Sequence, residues 1–145
     1  MRNLMVYRLN GLSLVFALGH HVDHAIRGTH IGWPLISEVN PFTASLTIYP
    51  IVIASVLLYH RELVGHGTLA FVTGGGALFL AIIHFGPWAV EPAIEIIDHY
   101  PNPILGWLAF AWLVALVVIV VATCAYEINA WRADRKAVLD TTTTT

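Results

Sequence analysis

The chain has 145 residues, enough for one domain, and a net charge of −2 that argues against nucleic acid as a partner. Only 11% of the residues are charged, 57% are hydrophobic and the mean hydropathy is +0.72, whereas soluble domains carry about 25% charge. These values predict an integral membrane protein; the single cysteine, Cys124, excludes an internal disulfide.

The first predicted helix covers about 4–26. Arg2 followed by the apolar run Leu12 to Leu18 has the outline of a signal peptide. Arg8 and Asn10 interrupt that outline, and Val22, Ala25 and Ile26 carry the helical pattern beyond the cut, so the segment reads as retained. Stepping by three and four, one face presents Asn10, Ser13, Ala17, His20, His24 and Arg27. Small and polar side chains at a membrane helix face suit helix contact better than lipid contact, so His20 and His24 are expected to look inward. His21 lies about 100° away and is expected to cap or snorkel. Asp23 and Arg27, at i and i+4, have the spacing of a helical ion pair.

Gly28 to Asn40 reads as a loop, with His30 exposed and Trp33 at the membrane interface. Asn40 as cap and Pro41 as first residue open a second helix over about 42–59, which Pro50 should kink by removing the hydrogen bond to Leu46. A polar turn with His60 and His66 exposed or hydrogen-bonded returns the chain into a third helix, about 68–85. Its stripe Ala70, Gly74, Ala77, Ala81 aims His84 into the bundle, and Gly74 to Gly76 allow close approach by a backbone or a flat ligand.

The second long loop starts a short interfacial helix at Glu91-Pro92, with Glu91, Glu95, Asp98 and His99 on one face. Asn102-Pro103 then caps a fourth helix over about 104–126. A charged tail follows, helical at first, and Thr141 to Thr145 read as disordered. The expected fold is therefore an all-α, integral membrane four-helix bundle in one domain, residues 1–140. Arg2, Arg8, Arg61, Arg132, Arg135 and Lys136 fall on one side of this topology and Arg27 alone on the other. The positive-inside rule places both termini in the cytoplasm. The pattern His20-His21-Val22-Asp23-His24, His84-Phe85-Gly86-Pro87 and Glu91-Pro92 looks like that of a bacterial membrane protein, which suggests the inner membrane.

Topology then gathers histidines and carboxylates at the outer leaflet, on the extracytoplasmic side. Imidazole plus carboxylate is the ligand set of zinc, iron or copper, so His20, His24, His84, Glu91, Asp98 and His99 are the candidate metal ligands. Asp23 and Glu95 are the candidate catalytic bases or orienting groups. The expected chemistry is metal-dependent oxidation or hydrolysis of a small or lipidic substrate. One alternative is a b-type haem held between His84 and His20 or His24, exchanging electrons with quinone. Another is a non-catalytic subunit or a proton or ion pathway. A redox partner would be a separate protein, and a homo-oligomer is compatible with the composition.

Overall fold

The computed structural model describes residues 3–28 and 39–142. His30 and Trp33, read above as loop and interface residues, lie outside them. Among the described residues the chain is all-helical: α1 (Leu4–Arg27), α2 (Pro41–Ser45), α3 (Ile48–His60), α4 (His66–His84), α5 (Ala93–Asp98) and α6 (Pro103–Thr142). Three stretches are long and apolar enough to cross a membrane: Pro41–His60, His66–His84 and Pro103–Thr142. The histidine-rich α1 is not among them.

Local chemistry sets the boundaries. The Asn3 side chain accepts from the Met5 amide, and Gly28, at φ 65°, closes α1 by donating its N–H to the His24 carbonyl. Asn40 caps α2 with Pro41 at the first helical position, as the sequence predicts, and Thr43 completes a reciprocal capping box. The kink expected from Pro50 takes the form of a break. Proline cannot donate to the Leu46 carbonyl, the Tyr49 amide takes it at 3.3 Å, and a turn at 46–47 separates α2 from α3.

Helix α6 is the shared post, packed against α1, α4 and α5, while α3 leans on α4 and touches α1 lightly. Long-range pairs fix the directions. Asn3 meets Tyr126, Tyr7 meets His60 and His66 meets Glu127 at one end; His20 meets His84 and Asp23 meets Tyr100 at the other. All six positions of the α1 stripe, Asn10, Ser13, Ala17, His20, His24 and Arg27, are buried. Ala17, Leu116 and Val120 form an apolar layer across the middle.

Three expectations are corrected. On α4 the line facing the bundle is His66, Ala70, Thr73, Ala77, Leu80 and His84, and Ala81 is exposed. Of the predicted series, Ala70, Ala77 and His84 lie on this line and Gly74 packs beside it against Cys124 of α6; only Ala81 departs. His66 belongs to α4 as its first residue rather than to the turn, and of the two expected states it is the hydrogen-bonded one, only 7% exposed. Finally, the helix of the charged tail does not end after its first turns: α6 spans 40 residues in all, Pro103–Thr142, with Thr141 and Thr142 still helical. Their hydroxyls donate to carbonyls one turn back, which satisfies the polar side chains within the helix. Residues 143–145 lie outside the described residues.

Among the described glycines, Gly106 has the least room for a side chain. A Cβ there would sit 2.2 Å from the Ile97 carbonyl oxygen, so α5 rests directly on the first turns of α6. Backbone cannot rotate away as a side chain can. Gly106→Ala should therefore cost about 1–3 kcal/mol, read as a lower unfolding midpoint in detergent; an unchanged midpoint would contradict this packing.

Candidate metal centre

The end of the bundle that holds the C-terminus of α1 carries the densest set of ionisable groups. His20 and His24 sit one turn apart on α1, and His84 is the last residue of α4. Glu91 arrives from the segment before α5, its backbone N–H bonded to the Ile83 carbonyl at 3.1 Å. All four are buried, and one ligand atom from each lies within 4.8 Å of every other. His20 Nε2 is 3.2 Å from both His84 Nε2 and His24 Nε2, and Glu91 Oε2 is 3.2 Å from His24 Nε2.

Hydrogen bonding alone does not account for this arrangement. A neutral imidazole nitrogen has one proton or one in-plane lone pair, so His20 Nε2 can satisfy one neighbour and not two. His84 Nδ1 donates to the Glu91 carbonyl at 3.1 Å, which leaves the His84 Nε2 lone pair facing the cluster. Among the described residues, the buried side-chain nitrogens and oxygens without a hydrogen bond are His24 Nδ1, Arg27 Nη2 and Glu91 Oε2. All three belong to this cluster. Arg27 Nη2 keeps an ion-pair contact of 2.7 Å with Asp23 Oδ2; Glu91 Oε2 has only the histidines beside it. Three nitrogens and one carboxylate oxygen converging on one point fit a divalent ion of intermediate softness.

The surrounding charges are matched. Arg27 binds Glu91 through Nη1 and Asp23 through Nε, the latter at 2.8 Å, and the Tyr100 hydroxyl donates to the other Asp23 oxygen. Asp23 thus offsets Arg27 and leaves the charge of Glu91 for a cation. Burial and the bond to the Asp23 carboxylate push the Tyr100 phenol up to about 12, so it remains a donor at neutral pH.

The remaining candidates sit elsewhere. Pro92, extended at φ −67° and ψ 156°, caps α5, so Glu91 precedes that helix and turns inward rather than sharing its face. Glu95, Asp98 and His99 are exposed on α5 and its cap, and the convergent group does not include them. His21 is committed elsewhere: Nε2 pairs with the Ser45 hydroxyl at 2.7 Å, and Nδ1 lies 2.8 Å from both the Ala17 carbonyl and Tyr49 hydroxyl oxygens.

A cavity of about 510 Å³ opens onto the cluster. Its wall includes His20, His24, His84 and Glu91 at one end, apolar residues such as Val52, Phe79 and Leu116 along its length, and Asn10 and Ser13 at the other end. Gly75 and Gly76 also line it, and no atom lies within 4 Å of where a Gly75 Cβ would stand. Of the run, only Gly75 borders open space; a Cβ on Gly74 would stand 3.3 Å from Cys124 Sγ of α6 and one on Gly76 3.7 Å from Ile48 Cδ1 of α3.

Sequence reasoning missed a second polar cluster at the opposite end, where Glu127 is fully buried against His66 and Asn10. The signal was present: Asn10 heads the polar stripe of α1 and needs a buried partner. Comparison with family models, curated proteins and solved structures finds no match.

Proposed function

We propose that the chain is an integral membrane protein that binds one transition-metal ion through His20, His24, His84 and Glu91, beside a cavity that admits a small or lipidic substrate. The observation carrying this reading is the convergence of four buried ligand atoms on the wall of an apolar cavity. Membrane insertion is supported by the three apolar helices and by exposed apolar side chains such as Leu78 and Val118, which water would solvate poorly. In this reading α1 is the fourth span, kept in place by burying its polar face against α6. The distribution of Lys and Arg favours termini in the cytoplasm and the cluster toward the outside, in a bacterial inner membrane.

Each residue has a definable task. The histidines supply neutral nitrogen donors, and Glu91 divides its oxygens between the cluster and Arg27. Asp23 and Tyr100 hold Arg27, and through it the Glu91 carboxylate, which supports an orienting role for Asp23. Glu95 does not line the cavity, so the geometry lends no support to its acting as a base. Zinc in such a site polarises water or a carbonyl, whereas iron or copper supplies redox chemistry with a separate electron partner. A compact ion is favoured over haem because the His20 and His84 nitrogens are 3.2 Å apart with His24 and Glu91 beside them, which leaves no plane for a macrocycle.

Elemental analysis and an absorption spectrum of the detergent-purified chain test the reading. The expected result is about one ion of zinc, iron or copper per chain and no Soret band. Failure to retain any of these metals after loading would overturn it; a Soret band lost in His84→Ala would replace it with the haem reading.

A further inference from the structure

The wall of the cavity beside the cluster shows what kind of molecule can reach it. Four of its residues are themselves exposed: Thr47 and Ile51 at the start of α3, and Phe71 and Gly75 on α4. Ile51 lies in the middle of the apolar stretch Pro41–His60, and Phe71 and Gly75 lie well inside His66–His84. In a membrane these positions fall within the hydrocarbon layer, away from the polar ends of both stretches. The mouth that they frame opens to lipid, so a ligand using it must dissolve in the bilayer. Gly75 keeps that mouth wide, because no atom lies within 4 Å of where its Cβ would stand.

Along most of the cavity the polar groups of the wall are already spent. The hydroxyls of Ser13, Ser45, Thr47 and Thr73 donate to the carbonyls of Leu9, Phe42, Ala44 and Leu69 at 2.7–3.0 Å, each within its own helical turn. Asn10 gives its side-chain N–H groups to the Val6 carbonyl and to Glu127. None of these side chains has a proton left for a ligand, so an anionic group would go unanswered beside them. The end formed by His20, His24, His84 and Glu91 differs. Arg27 and Asp23 offset each other, so a divalent ion held there meets the single negative charge of Glu91 and keeps one positive charge to be balanced. That end answers an anion.

We infer that the cavity takes a long-chain monocarboxylic acid from the bilayer, with its carboxylate beside the ion and its chain running toward Asn10. Asn10 and His20 are ten residues apart on α1, about 15 Å, and the wall between them includes Ala17, Val52, Leu80 and Leu116. The volume of about 510 Å³ falls among pockets of about 300–1,000 Å³ that enclose one small ligand, which suits a single hydrocarbon chain rather than a two-chain phospholipid. His84 is the last residue of α4, so the cluster lies toward one membrane surface. A fatty acid in that leaflet already points its head the right way and can enter sideways without turning over. The head group rests on the metal reading, whereas the seat of the chain follows from the wall alone.

The test uses the full chain, loaded with metal in lipid nanodiscs, and palmitic acid carrying a photoreactive diazirine at the far end of its chain. Mass spectrometry should find adducts at Ser13, Leu14 and Thr73, which line the cavity away from the cluster. Gly75→Phe should abolish these adducts while metal content is kept; Val52→Phe, which fills the cavity from α3, serves should the first variant not fold. The methyl ester of the probe, with no charge on its head, should label weakly, and chelating the metal should weaken labelling by the acid to the same level. Adducts confined to outward residues such as Leu78 and Val118, in protein that has kept its ion, would overturn the inference and leave the metal reading standing. Equal labelling by acid and ester would overturn the carboxylate head. Failure to retain any ion is the distinct result that removes the metal reading and the head assignment with it.

Discussion

Alanine at His20, His24 or His84 should each remove nearly all bound metal, while His99→Ala, Asp98→Asn and His60→Ala should leave about one ion per chain. The geometry sets the size of the effect. An ion with bonds of about 2.0–2.1 Å to four tetrahedral ligands holds those ligands about 3.3 Å apart. The spacings between His20 and His84, His20 and His24, and His24 and Glu91 are each 3.2 Å. Changes to groups that only support ligands typically cost 10–100-fold in metal affinity, so deletion of a ligand should exceed 100-fold. Asp23→Asn acts only through Arg27 on Glu91 and should fall within the smaller range. Measured by competition with a chelating dye, equal affinities for wild type and all three alanine variants would remove the site from this cluster.

Arg27→Ala should be the most destabilising single change at this end of the bundle, at about 3–5 kcal/mol, the range for breaking a buried ion pair by deleting one partner. The Arg27 side chain is 1% exposed, Glu91 is 1% and Asp23 is 12%, so both carboxylates lose their cation where water cannot replace it. Tyr100 still donates to Asp23, but Glu91 Oε1 retains no comparable donor. Arg27→Lys should recover only part of the loss, since a point charge cannot reach two carboxylates with the geometry of a guanidinium. Chemical unfolding of the metal-free protein in detergent measures both variants. A loss below about 1 kcal/mol for Arg27→Ala would mean that the pair is solvated in a way its burial does not suggest.

Periodicity made α1 legible, because its polar residues recur at helical spacing within an otherwise apolar segment and leave one face for them to occupy. The same logic placed His84 at the inner end of α4, even though the stripe used to aim it passed through the exposed Ala81. What periodicity could not supply was the path of the segment between helices. Glu91 was assigned to a helical face with Asp98 and His99, but Pro92 stops the helix short of it and frees Glu91 to turn inward. The pair of His66 and Glu127 was hidden for a different reason. The partners are 61 positions apart, one behind a glycine-containing turn and the other at the head of a charged segment, so nothing in the local composition of either points to the other.

The central placement of α6 also governs the order in which the protein can be completed. Asn10 and Ser13 of α1 find their cross-helix partners in Glu127 and Thr123, more than a hundred residues later in synthesis. Until α6 emerges, Asn10 and Ser13 lack these partners, and α1 is not among the stretches long and apolar enough to cross a membrane. The nascent chain must therefore carry a first helix with these two positions unanswered through the making of α2 to α5. Contacts this distant in sequence are slow to close, which makes the last helix the step that commits the fold.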